Sequence, residues 1–139
     1  MRIRDKVKKP QRPVVAYEIL PPREKDGTLN SYAETISSLL SQTHIDAINI
    51  PEVHDEIGRG DRPVTNQKRG EPREFGMLLQ DIVGIEAIIN RVVVHEPYDE
   101  QIRWIEETNT AYEIENMIIV GGESSKVDYP GPTVNEMLQ

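Results

Sequence analysis

Apolar residues in this chain gather in four short runs rich in Val and Ile: Val14 to Leu20, Asp46 to Ile50, Ala87 to Val94, and Asn116 to Val120. Such runs read as strands. Between them the apolar positions recur every three or four residues, the spacing of an amphipathic helix. Leu29 to Gln42 places Tyr32, Ile36, Leu39 and Leu40 on one face, with Asn30 or Ser31 available as its cap. Arg73 to Val83 follows Pro72, turns Phe75, Leu78, Leu79 and Ile82 inward and stops at Gly84. Tyr98 to Ile114 follows Pro97 and aligns Ile102, Ile105 and Tyr112 opposite an acidic face. Strand and helix therefore alternate, which predicts an α/β fold with right-handed crossovers and a parallel sheet.

Two polar insertions interrupt that rhythm, residues 52–71 after the second strand and residues 121–132 after the fourth. Both lie where functional βα loops occur. At the end of the chain, Thr133 and Glu136 have capping-box spacing ahead of Met137 and Leu138. A helix opens there and is not continued. The expected architecture is thus the front half of a (βα)8 TIM-type barrel: residues 1–13 are a basic arm, and residues 14–139 are four βα units, incomplete at the C-terminus. Such a piece is expected to pair with another copy or with a complementary chain that completes the barrel, because its first and fourth strands would be left as unpaired edges.

Glu18 breaks the first apolar run from within. Alternation puts it on the same face as Val14, Ala16 and Leu20. An unpartnered carboxylate is costly to bury, so Glu18 either lies on an exposed face, in an ion pair with Arg23 or the arm, or points into a cavity from which it can hand a proton to a substrate. The following Pro21 and Pro22 fix the chain's exit from the strand.

The chain's 139 residues carry a formal net charge of −8, which argues against non-specific nucleic-acid binding. The basic cluster Arg2, Arg4, Lys6, Lys8, Lys9 and Arg12 is expected to be a solvated arm. With no cysteine there is no disulfide framework, thiolate site or cysteine nucleophile. No apolar run reaches the roughly 20 residues of a membrane span, and no signal peptide is evident, so a cytoplasmic protein is expected.

Ligands of parallel α/β folds bind beyond the carboxyl ends of the strands. The candidates there are Glu18, Asn49 with Glu52, His95 with Glu96, and Gly121, Gly122 and Glu123. His95 is either a ring that orients a cofactor or a polar strand terminus. His44, His54 and His95 lack ligand spacing, so no metal site is expected. The sequence also lacks the dinucleotide fingerprint, the P-loop and the nucleophile elbow.

The stretch "YEILPPRE" resembles the first-strand motif of methylenetetrahydrofolate reductases, and "MIIVGGE" resembles the end of that family's fourth strand. The likeness spans residues 14–131 in strand order and spacing. It implies a barrel that binds FAD and a reduced folate, and that passes hydride to methylenetetrahydrofolate. By the same resemblance, Glu18 matches the general acid that protonates a folate nitrogen. Glu123 matches the acid that supports the cationic intermediate, and His95 a histidine at the flavin's edge. Asn49, Gly121 and Gly122, chosen from their places at strand ends, are the further positions expected to hold the cofactor. Gly121 stands where the family usually has Arg, which removes a planar donor. A folate-binding relative without flavin is the alternative.

Overall fold

The computed structural model describes residues 2–53, 68–122 and 125–139. Its elements are α1 (Ile3–Lys8), β1 (Ala16–Glu18), α2 (Leu29–Leu40), β2 (Ala47–Pro51), α3 (Pro72–Val83), β3 (Ala87–Val92), α4 (Tyr98–Tyr112), β4 (Asn116–Val120) and α5 (Val134–Met137). The strands form one sheet in the order β1-β2-β3-β4, and every pairing is parallel. β1 and β4 are its edges.

Crossovers of one hand place α2, α3 and α4 on the same face of the sheet. Ile48, Ile50, Ala87 and Ile89 project into that layer, where Ala33 and Leu40 of α2, Phe75 and Leu79 of α3, and Ile114 complete a buried cluster. The turn of α3 at Gly76 lies close to the sheet. A Cβ there would meet Ile114 Cδ1 at 3.0 Å and the side chains of Ala87 and Ile50 at 3.3 Å. A side chain there would require these neighbours to give by a few tenths of an ångström.

Local chemistry explains the boundaries. Thr28, rather than Asn30 or Ser31, caps α2: the side chain that accepts the Ser31 N–H must belong to the residue three positions before it. Glu71 caps α3 ahead of Pro72, and Gly84 ends it in the left-handed region at φ 71°. Leu39 and Ile82, expected inside, are 57% and 45% exposed. In α2 the inward stripe is Ala33, Ile36 and Leu40; in α3 it is Phe75 and Leu79.

α4 departs furthest from the expected pattern. Its fully buried positions are Gln101 and Thr108, while Ile102 and Ile105 are only half-buried. Gln101 Nε2 donates to Val93 O at 2.8 Å, and its Oε1 accepts from Arg91 Nε at 2.8 Å. Arg91 also donates to Glu52 Oε1 at 2.6 Å, and its guanidinium stacks 4.4 Å from the Trp104 ring centroid. Arg73 of α3 lies 4.7 Å from the same ring and 4.6 Å from that of Tyr112. Polar residues fill this part of the helix layer because each buried donor and acceptor finds a partner.

The N-terminal arm is not simply solvated. Residues Ile3–Lys8 form a short helix with Ile3 buried. The Ile3 N–H donates to Glu86, Arg2 pairs with Glu115, and Lys6 and Arg12 pair with Asp46. These carboxylates stand at or just before the amino ends of β4, β3 and β2, so the arm lies along that end of the sheet. Among the described residues, no helix is long and apolar enough to cross a membrane.

Candidate functional site

The sheet face away from the helices carries the alternate side chains of each strand. By register, Glu18 is level with Asn49, Asn49 with Ile88, Asn90 with Ile118, and Val92 with Val120. This face combines polar side chains near the β1 side with apolar ones toward β4, where Ile118 is 45% exposed.

β1 is shorter than its apolar run suggests, only Ala16–Glu18, and all three residues are exposed. Glu18 therefore sits on an open edge strand, and Ile19 is where burial begins. The apolar cavity that would enclose the carboxylate is not formed by the described residues. Nor does Glu18 pair with Arg23, which binds Asp26 at 2.5 Å. Instead Asn49 Nδ2 donates to Glu18 Oε2 at 3.2 Å. The two prolines do fix the exit: Pro21 O accepts from Arg69 at 2.8 Å, and Pro22 O accepts from Gly70 N at 2.9 Å. The loop after β1 is thereby held against the segment entering α3.

Asn49 uses its amide N–H₂ on Glu18, while its Oδ1 is buried and receives no hydrogen bond from the described residues. Asn90 Oδ1, one strand further on, is in the same condition. A buried acceptor without a donor is costly. Two of them on one face are suited to the N–H edge of a ligand. Sequence reasoning passed over Asn90, although a polar side chain inside an apolar run is the same signal that singled out Glu18.

Glu52 was a candidate that the fold employs otherwise. One oxygen binds Arg91, and the other accepts from Val92 N at 3.0 Å. It anchors the end of β2 to β3. His95 does not end a strand, since β3 stops at Val92 and Val93–His95 form a 3-10 turn. Its ring meets Tyr129 edge-on, with centroids 5.7 Å apart. Tyr129 also lies against Gly122, where a Cβ would fall 2.2 Å from the ring. The turn bearing Tyr129 is seated by Gly131, whose N–H donates to Val94 O at 2.8 Å. His95 and Gly122 are thus brought together through Tyr129, and Gly121 stands just after β4 beside Val134 of α5. Glu123, the insertion at 54–67 and His54 lie outside the described residues. No group of three potential metal ligands is gathered among those that are described.

A flavin can be tested against these positions. Asn49 and Asn90 suit a flat heterocycle with ring N–H groups laid along the open face. The Gly122 side is already lined by Tyr129, and Gly121 offers no guanidinium. The two acceptors, Asn49 Oδ1 and Asn90 Oδ1, can serve one such heterocycle at a time. No family model matches this chain, and no curated protein matches it.

Proposed function

We propose that this chain is the front half of a methylenetetrahydrofolate-reductase-like (βα)8 barrel that binds a reduced folate on the open face of its sheet. The observation that carries this reading is the Glu18–Asn49 contact at 3.2 Å, beside the buried, undonated Oδ1 atoms of Asn49 and Asn90. A pterin presents adjacent N–H groups and a ring nitrogen that takes a proton. The two amides hold its edge, and Glu18 stands next to them as the acid.

Glu18 gives its proton to a nitrogen of the folate's five-membered ring. The carbon–nitrogen bond at that nitrogen then breaks, the pair stays on nitrogen, and the carbon is left cationic. FAD in its reduced form, when bound, would supply the hydride, with His95 at its edge on the resemblance alone. Glu123 supports the cation in this reading on the resemblance alone. Asn49 keeps the Glu18 carboxyl turned toward the face.

The parallel order β1-β2-β3-β4, with both edges unpaired among the described residues, supports closure by four further βα units, supplied in the same polypeptide, by a second copy or by another chain. Turnover tests the catalytic part: the complete protein with FAD should oxidise a reduced electron donor only when methylenetetrahydrofolate is present. A colourless protein that does neither, yet binds the folate, would reduce the proposal to its flavin-free alternative. Binding of neither ligand would end it.

A further inference from the structure

At the opposite end of the sheet, the turn between α1 and β1 encloses a cleft of about 440 Å³. Lys6, Lys9, Arg12 and Asp46 line it together with Pro10 and Pro13. Three cations face one carboxylate there, a surplus of two positive charges. The carboxylate is already saturated, because Asp46 accepts from Lys6 at 2.9 Å, from Arg12 at 2.7 and 3.0 Å, and from Val15 N at 2.9 Å. Asp46 is also 4% exposed, so it cannot turn outward to neutralise the remaining charge.

The donors are only partly used. Lys6 spends one of its three N–H groups on Asp46, Arg12 keeps donors beyond those on Asp46 and Pro13 O, and Lys9 makes no ion pair among the described residues. The last turn of α1 points its carbonyl ends this way. In a helix of six residues they amount to less than the half charge of a full helix. The cationic surplus outweighs them.

We infer that this cleft is a binding site for an organic phosphate monoester, the dianion being held by Lys9 with the free donors of Lys6 and Arg12, and the ester group lying against Pro10 and Pro13. A phosphate carries close to the two negative charges needed, and ammonium groups bind it as point charges from several directions. Asp46 positions the two cations it binds, so the site is built before the ligand arrives. It does not depend on folate binding at the other end of the sheet.

Calorimetric titration of the full chain with phenyl phosphate and with inorganic phosphate tests the assignment. Phenyl phosphate should bind saturably and more tightly than inorganic phosphate. Lys9→Ala should weaken binding by at least about fivefold, the weight of one unit charge roughly 4 Å from another in water. Lys9 is exposed, so the variant should fold, as its unchanged melting temperature would verify. Lys9→Arg should retain binding, and Lys25→Ala, at a distant exposed turn, should leave it unchanged. No saturation up to about 10 mM, a Kd far weaker than ordinary recognition, would overturn the site. So would Lys9→Ala binding as the parent does, or inorganic phosphate binding as tightly as its phenyl ester.

Discussion

Arg12 grips Asp46 through two guanidinium nitrogens, at 2.7 and 3.0 Å, and so ties the N-terminal arm to the first residue before β2. The Asp46 side chain is 2% exposed. The backbone N–H of Val15 is the largest cause holding this carboxyl far below the usual carboxylate range, with Arg12 and Lys6 adding to it against the cost of burial. A depressed folded value means that the stabilisation is fully present above the unfolded value of about 3.9. It declines as pH falls below that point and is gone once pH drops through the folded value. Asp46→Asn should therefore melt well below the parent at pH 7, and the gap should shrink in acid below pH of about 4. Thermal melts of both proteins across that range check the sign; a gap independent of pH would mean that the charge of Asp46 is immaterial.

The Arg91–Glu52 pair should behave differently, because it is nearly enclosed, with side chains 9% and 15% exposed. Removing one partner of such a pair leaves the other charged and buried, at a cost of about 3–5 kcal/mol. Arg91→Ala should destabilise by that order in denaturant unfolding. Arg91→Met, which keeps the volume beside Trp104, should still lose the contact to Gln101 and Glu52. A double substitution with Glu52→Leu should recover part of the loss, and strict additivity would show that the two residues are not coupled.

Gly131 tests the seat of the Tyr129 turn. A Cβ there would fall 2.4 Å from Glu96 O and 2.5 Å from Val93 O, and backbone atoms cannot give way as a side-chain tip can. Gly131→Ala should cost on the order of 1–3 kcal/mol or more. It should also release the Tyr129 ring from His95, seen as a change in near-ultraviolet dichroism. Unaltered dichroism and stability would contradict the close packing.

Much of the fold could be read from periodicity, and the reasons for the misses are physical. β2, β4 and the ends of α3 at Pro72 and Gly84 were legible because Val and Ile runs and proline or glycine punctuation act locally. α1 was not, since a six-residue helix gains nothing from its own length and is held by Glu86, Glu115 and Asp46, far along the chain. The inward stripe of α4 was misread for a similar reason: Gln101 looks solvated until Arg91 and Val93 supply its partners. At the site, Glu18 and Asn49 were found from strand ends, whereas the exposure of β1 depends on its being an edge. The place of His95 depends on Tyr129, more than thirty positions later.

Closure of the sheet makes its own prediction. Among the described residues, the edges β1 and β4 and the exposed Ile118 leave backbone groups and apolar side chains uncovered. These 139 residues should therefore self-associate or bind a complementary half-barrel in light scattering. A monodisperse 15.9 kDa species that unfolds cooperatively would show that four strands suffice.

On the proposed reaction, Glu18→Gln keeps the shape of the side chain and the Asn49 contact while removing the proton that Glu18 would transfer. Folate reduction should fall by a factor of about 10² to 10⁴, the usual contribution of a general acid. Reduction of the flavin by its electron donor should be nearly unchanged. Equal loss in both half-reactions would assign Glu18 a structural role.

The most direct measurement is a calorimetric titration of the protein with methyltetrahydrofolate, with and without FAD, repeated on Asn90→Ala and on Lys25→Ala. Binding that weakens about tenfold or more in Asn90→Ala, as loss of a buried hydrogen-bond partner of a ligand predicts, and that is unchanged in Lys25→Ala, is the expected result. Absence of binding by the parent protein under both conditions, or equal affinity in Asn90→Ala, would contradict a folate held on the open face of this sheet.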